Sequence, residues 1–208
     1  MTQPIANCPN CGAKIVFRWS SSVQTVCEYC KSILIRTDVD LKKVGQVADL
    51  PPNSSPIQIG TEGVYNRQAF VAVGRIIYEY DLGTWNEWHL VLNNGSAWLS
   101  DAQEDYVVTF AAPGRKLPGE CRVGQHYAWD NNSYTVTTIT KAHYRGVEGE
   151  LPFQYWDKRD VVFVDLMSEK GQFATLDYSD DSPVLYLGES VDFDQLSLKN
   201  LRAFEGWS

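Results

Sequence analysis

The chain has 208 residues, a formal net charge of −8, and contents of 44% hydrophobic and 12% aromatic residues. That aromatic content excludes a disordered chain, and no run of about 18 apolar residues is present to span a membrane as a helix. The acidic balance argues against nucleic acid as the main ligand, because duplex binders present a basic stripe to the phosphates.

Charge is unevenly spread. Residues 1–36 carry Lys14, Arg18, Lys31 and Arg36 against Glu28 alone, a net of +3, while the remainder has 14 basic and 25 acidic residues, a net of −11. An acidic body favours cationic partners. The start, MTQPIANCPNCGAK, lacks the basic and apolar stretches of a secretory signal, so a cytoplasmic address is expected.

The first element, residues 1–36, holds four of the five cysteines in the spacing Cys8-x2-Cys11-x15-Cys27-x2-Cys30. Two Cys-x-x-Cys pairs at tight turns can aim four thiolates at one point, the closed tetrahedral shell of a structural zinc site. Gly12 follows the first pair, where the turn needs a positive φ. Short apolar runs, Ile15–Arg18 and Ile33–Arg36, complete the pattern of a zinc ribbon. Redox pairs and iron–sulfur clusters are the alternatives, and a redox pair expects a βαβ context. Four protein ligands leave no open position for catalysis.

A polar connector is expected over 37–56, ending in the boundary-like Pro-Pro-Asn-Ser-Ser-Pro. From Ile57 the reading is β throughout, with strand-like runs at 68–80, 86–93, 105–110, 133–140, 161–166 and 184–187. Asn94-Gly95 between two of them signals a type I′ hairpin turn. Only 194–204 has the periodicity of a short terminal helix. A weak repeat matches Gly60 to Gly124, Tyr65 to Trp129 and Phe70 to Tyr134, each 64 residues apart. The expected architecture is therefore mainly β: a zinc ribbon (1–36), a linker (37–56), and two pseudo-repeated antiparallel β units (57–112 and 113–208). Those units form small barrels or a sandwich.

The densest aromatic cluster lies at 83–99. Strand alternation places Trp85 and Glu87 on one face and Trp88 and Leu90 on the other, and Trp98 returns beside them past the turn. The plain reading is a small β core. The functional one is a binding surface of Trp85, Glu87, Trp88 and Trp98, whose indole faces and carboxylate suit a cation.

These motifs (Cys-Pro-Asn-Cys-Gly-Ala with Cys-Glu-Tyr-Cys, then Gly-x-Trp-x-Glu-Trp and Trp98-Leu99) resemble the bacterial domain of unknown function 4178. The resemblance implies a domain over 57–190 with the ribbon as its companion. It brings no assigned activity. The neighbourhood typical of such genes, aminopropyltransferase-like enzymes and small membrane proteins, implies a polyamine-linked or envelope-stress setting.

For catalysis the sequence offers little. His89, His126 and His143 stand apart, Cys121 sits in a Pro/Gly context near His126, and no nucleophile or phosphate-loop motif occurs. The carboxylates Asp177, Asp180, Asp181, Glu189, Asp192 and Asp194 read as a solvated acidic face. The expected function is a non-catalytic adaptor whose ribbon and aromatic β domain dock a protein partner. A receptor for a small, polyamine-like cation is the second reading, and nucleic-acid binding through the ribbon the third.

Overall fold

The computed structural model describes residues 4–37, 40–47, 50, 54–155, 160–179 and 182–203. The amino-terminal segment forms a hairpin of β1 (Ile5–Asn7) and β2 (Lys14–Val16), then β3 (Gln24–Val26), β4 (Ser32–Arg36) and β5 (Leu41–Gln46). The stretch expected as a linker is thus structured in its first half. β5 pairs antiparallel with β4, and Leu41 is buried beside Phe17 and Leu34 in the ribbon core. Alternating burial of Leu41 against exposed Lys42 is weak in a lysine-rich strand, which is why composition alone read it as connector.

Two five-stranded units follow. The first contains β6 (Glu62–Tyr65), β7 (Gln68–Tyr80), β8 (Gly83–Leu92), β9 (Gly95–Ala102) and β10 (Asp105–Ala111). The second contains β11 (His126–Trp129), β12 (Asn132–Leu151), β13 (Asp160–Ser168), β14 (Gln172–Asp177) and β15 (Val184–Val191). Each opens with a hairpin turned through two residues at positive φ, Asn66-Arg67 and Asp130-Asn131. Gly60 N–H donates to Ala72 O and Ala72 N–H to Thr61 O; Gly124 to Val136 and Val136 to Gln125 do the same. The register shifts at Ala72/Gly74 in β7 and at Val136/Thr138 in β12.

The units share one sheet rather than closing separately. β10 pairs β15 and β7 pairs β12, so the order β7-β8-β9-β10-β15-β14-β13-β12 returns on itself as a partial ring. The seam between β7 and β12 needs glycine: a Cβ on Gly74 would lie 2.0 Å from Glu150 O, and one on Gly149 2.1 Å from Val73 O.

Strand alternation then gives each ring strand two differently lined faces. On one face, Trp88, Leu90, Leu99 and Val108 fill the core of the first unit, and Val136, Leu166, Ala174 and Leu185 that of the second. The other face is turned toward a shared interior. Near one end, Val26 and Ile33 of the ribbon join Val147, Leu151 and Val161 in a third core.

Two local expectations are corrected. The hairpin between β8 and β9 turns through Asn93-Asn94, neither at positive φ, and Gly95, at φ 147°, opens β9, so the paired positive-φ turn predicted at Asn94-Gly95 is found at other hairpins. The terminal helix reduces to a 3-10 turn at Phe193–Leu196. Ser197 and Asn200 take positive φ, and Lys199 instead bridges Glu62 on the edge strand β6. Main-chain pairing with an open sheet edge wins over helix propensity there.

Candidate functional site

The ring encloses a cavity of about 570 Å³, a size at which eight-stranded barrels hold one small ligand. All eight ring strands supply its wall at every second residue: Ile76, Tyr78 and Tyr80 from β7, Trp85 and Glu87 from β8, Trp98 and Ser100 from β9. Val107 and Thr109 come from β10, Thr138 and Thr140 from β12, Phe163 and Asp165 from β13. Thr175 and Asp177 belong to β14, and Tyr186 to β15. Phe153 and Tyr155, just beyond β12, complete the aromatic side.

Tyr78 stacks on Trp85 at 5.0 Å, Phe163 meets both edge-on, and Phe153 stacks on Trp98 at 5.7 Å. These rings fix one another, so their faces are preorganised.

Four carboxylates, Glu87, Asp105, Asp165 and Asp177, line the same cavity, and the described lining residues include no Lys, Arg or His. Glu87 accepts hydrogen bonds from the Trp85 indole (2.9 Å) and from the Ser100 hydroxyl (2.7 and 2.8 Å to its two oxygens). Burial nonetheless pushes Glu87 up to about 7, with the negative charges of Asp165 and Asp177 adding to the shift and the two donors opposing it. Asp165 rises to about 6, again through burial, against the cross-strand Thr175 hydroxyl.

Of the four residues read from sequence as a binding surface, Trp85, Glu87 and Trp98 meet in this cavity. Trp88 does not. It alternates to the opposite face, fully buried, with its indole N–H 3.3 Å from Asp101 and the Arg75 guanidinium over its ring at 5.1 Å. Arg75 is itself buried and paired with Glu148 at 2.8 Å. Sequence reasoning missed Asp165, although a lone carboxylate inside Val-Val-Phe-Val-Asp-Leu-Met was a signal for it. Asp177, read as part of a solvated face, lines the cavity, while Asp180 and Asp181 lie outside the described residues.

The remaining candidates are dispersed. His89 is fully buried, its Nδ1 3.0 Å from Glu150 O, and burial draws it down to about 4. Cys121 Sγ lies 3.7 Å from the Tyr178 hydroxyl, and His126 Nδ1 2.9 Å from Thr135 Oγ1. His143 pairs with Asp160.

A second centre lies in the ribbon. Cys8, Cys11, Cys27 and Cys30 bring their sulfurs within 4.8 Å of one another, with Cys8–Cys30 and Cys11–Cys27 each at 3.7 Å. A tetrahedron of sulfurs bound to zinc at about 2.3 Å has edges of about 3.8 Å, so the donor set fits a metal ion. The two turns are built alike. Gly12 N–H donates to Cys8 O and Lys31 N–H to Cys27 O, with φ of 75° and 57° at Gly12 and Lys31. The Ser32 hydroxyl, 3.2 Å from the Cys30 sulfur, favours its thiolate and draws it down to about 5. No other group of three or more ligating side chains among the described residues is compact enough for a metal ion.

The family model for a domain of unknown function, DUF4178, matches residues 58–193. The chain belongs to the DUF4178 family. The match spans both five-stranded units and the whole ring, so this chain's cavity lies within the matched residues and the four-cysteine centre outside them. No curated protein and no solved structure matches the chain. Among the described residues no helix is long and apolar enough to cross a membrane.

Proposed function

We propose that this DUF4178 protein is a non-catalytic receptor for a small organic cation, held in the ring cavity by carboxylates and aromatic faces. One observation carries the reading: four acidic side chains and nine aromatic rings face a single cavity with no basic group among the described lining residues. A cation there gains both ion pairing and cation–π attraction. The carboxylates are too dispersed to chelate a bare metal ion, so a ligand with its own breadth, such as a polyamine or a quaternary ammonium, fits better.

The adaptor reading finds less support, because Trp88 and Trp98 are buried and Trp85 is turned inward rather than presented to a partner. Ser100 is committed as a donor to Glu87 and serves as a brace for the counter-charge. In the ribbon we assign zinc as the ion and structure as its role. The corresponding hydrogen bonds and turns of the two units support an origin by duplication, and a cytoplasmic setting accords with reduced thiolates.

Calorimetric titration of the zinc-loaded protein with spermidine and with benzyltrimethylammonium tests the reading. Saturable heat is expected at pH 8 with at least one of them. Cation binding requires ionised Glu87 and Asp165, which face each other's charge and that of Asp177. Affinity should therefore fall about tenfold or more between pH 8 and pH 5.5, and fall similarly in Glu87→Gln at pH 8. Absence of heat at millimolar ligand and moderate salt would remove the proposal.

A further inference from the structure

Beyond the apolar core they share, the ribbon and the cavity wall are joined by the hydrogen bonds of one buried side chain, Gln24. β3 continues the main sheet by pairing with the end of β12, Thr25 opposite Glu150 and Gln24 opposite Leu151. From that position the Gln24 side chain, fully buried, clasps the backbone of Tyr155: its Nε2 donates to Tyr155 O at 2.9 Å, and Tyr155 N–H donates to its Oε1 at 2.7 Å. Tyr155 and Phe153 are cavity wall. The Tyr155 hydroxyl meets that of Tyr78 at 3.1 Å, and Phe153 stacks on Trp98. Among the described residues, 152–155 falls in no strand. Gln24 supplies the main-chain bonds that a ladder would otherwise give.

On the other side, Gln24 stands three residues before Cys27. The hairpin of β3 and β4 is only three residues long on its β3 side, and Cys27 N–H donates to Ser32 O within the cysteine turn. β3 is held to β12 at only two residues, Gln24 and Thr25, and four thiolates on one ion tie the Cys27 end of the hairpin that lies beyond them. Further bonds bind the ribbon to the same end of β12. The backbone N–H groups of Arg18 and Trp19 donate to the Glu150 carboxylate at 2.6 and 3.0 Å, and Val23 N–H donates to Leu151 O.

We propose that Gln24 is a positioning residue that makes the Phe153–Tyr155 wall of the cavity depend on the metal-held ribbon. Metal and cation binding are then thermodynamically linked, and each strengthens the other. This regulation rests on the cavity being the cation site, but its structural part does not. With metal bound, the hairpin holds Gln24 in place and the wall is closed. With metal removed, the hairpin loosens, the clasp opens, and the wall segment loses the two main-chain hydrogen bonds that Gln24 gives Tyr155.

Hydrogen exchange on the full-length zinc-loaded protein, with and without a chelator, is the direct test. Chelation should speed exchange at least tenfold in peptides covering 150–155 and leave β14 and β15 (172–191) unchanged. Because chelation could loosen more than the ribbon, zinc-loaded Gln24→Met is the second arm. It should keep one zinc per chain and full protection in 32–36, yet show fast exchange at 153–155. In wild type, saturating benzyltrimethylammonium should raise the apparent zinc affinity against a chromophoric chelator at least threefold, and in Gln24→Met it should leave that affinity unchanged. Unchanged exchange at 153–155 in both arms would overturn the proposal. If exchange responds but the cation binds neither form, the coupling stands and the cation reading falls.

Discussion

At the scale of the residue, Glu87 is where burial and charge compete most openly. Its carboxyl has two good donors, yet it lies beside two other acids inside a low-dielectric wall, so the protonated form wins until about pH 7. The sign for stability follows. A carboxyl raised on folding binds its proton more tightly in the native state, so its contribution is complete below about pH 4.5 and is lost as pH rises to about 7. Glu87→Gln keeps the shape and most of the hydrogen bonding without the charge. It should be neutral at pH 4.5 and stabilising at pH 8 by on the order of 2 kcal/mol. Urea unfolding at the two pH values measures this, and equal midpoint shifts at both would contradict it. The same substitution should weaken cation binding, which is the expected trade between stability and function at a site of buried like charges.

At the scale of the element, the two cysteine turns are alike in hydrogen bonding but differ in cost. Gly12 takes its positive φ freely, whereas Lys31 holds φ of 57° with a side chain. Lys31→Gly should therefore stabilise the second turn by about 0.5–1 kcal/mol, read as slower zinc loss to chelator and a higher melting temperature. A decrease in both would show that the Lys31 charge, set against the anionic tetrathiolate centre, matters more than its backbone strain. Among the longer elements, β7 spans 68–80 as the strand-like run predicted, while β12 reaches Leu151, well past the 133–140 that alternation marks. The extension passes through Gly146 and Gly149. In the fold Gly149 lets β12 lie against Val73 of β7, and Gly146 makes room for the Leu50 side chain.

At the scale of the whole molecule, the ring makes the two units and the ribbon a single support for one cavity. Anything that binds the folded cavity alone must raise stability by mass action. Benzyltrimethylammonium at 100 times its dissociation constant should add about 2.7 kcal/mol, which for a chain of this size is roughly 5–10 °C in melting temperature. Differential scanning calorimetry checks this, and Gln24→Met and Glu87→Gln should both show a smaller rise. A melting temperature indifferent to the cation would count against occupancy of the ring.

The four thiolates, the β class and the alternation that sets Trp85 and Glu87 opposite Trp88 were all written locally, in spacing and in a period of two. Such features survive any arrangement of the strands. The cavity was not written that way, because it needs β10 to find β15 and β7 to find β12 across long stretches of chain. Asp165, Asp177 and Glu87 become one site only through those pairings. Gln24 and Tyr155, 131 residues apart, meet because a ribbon strand extends the sheet. Sequence thus determined which residues could bind a metal and that Trp85 and Glu87 share a face opposite Trp88 and Leu90. Tertiary structure alone decided that the inward faces enclose an acidic, aromatic chamber, since non-local backbone pairing carries almost no local signature.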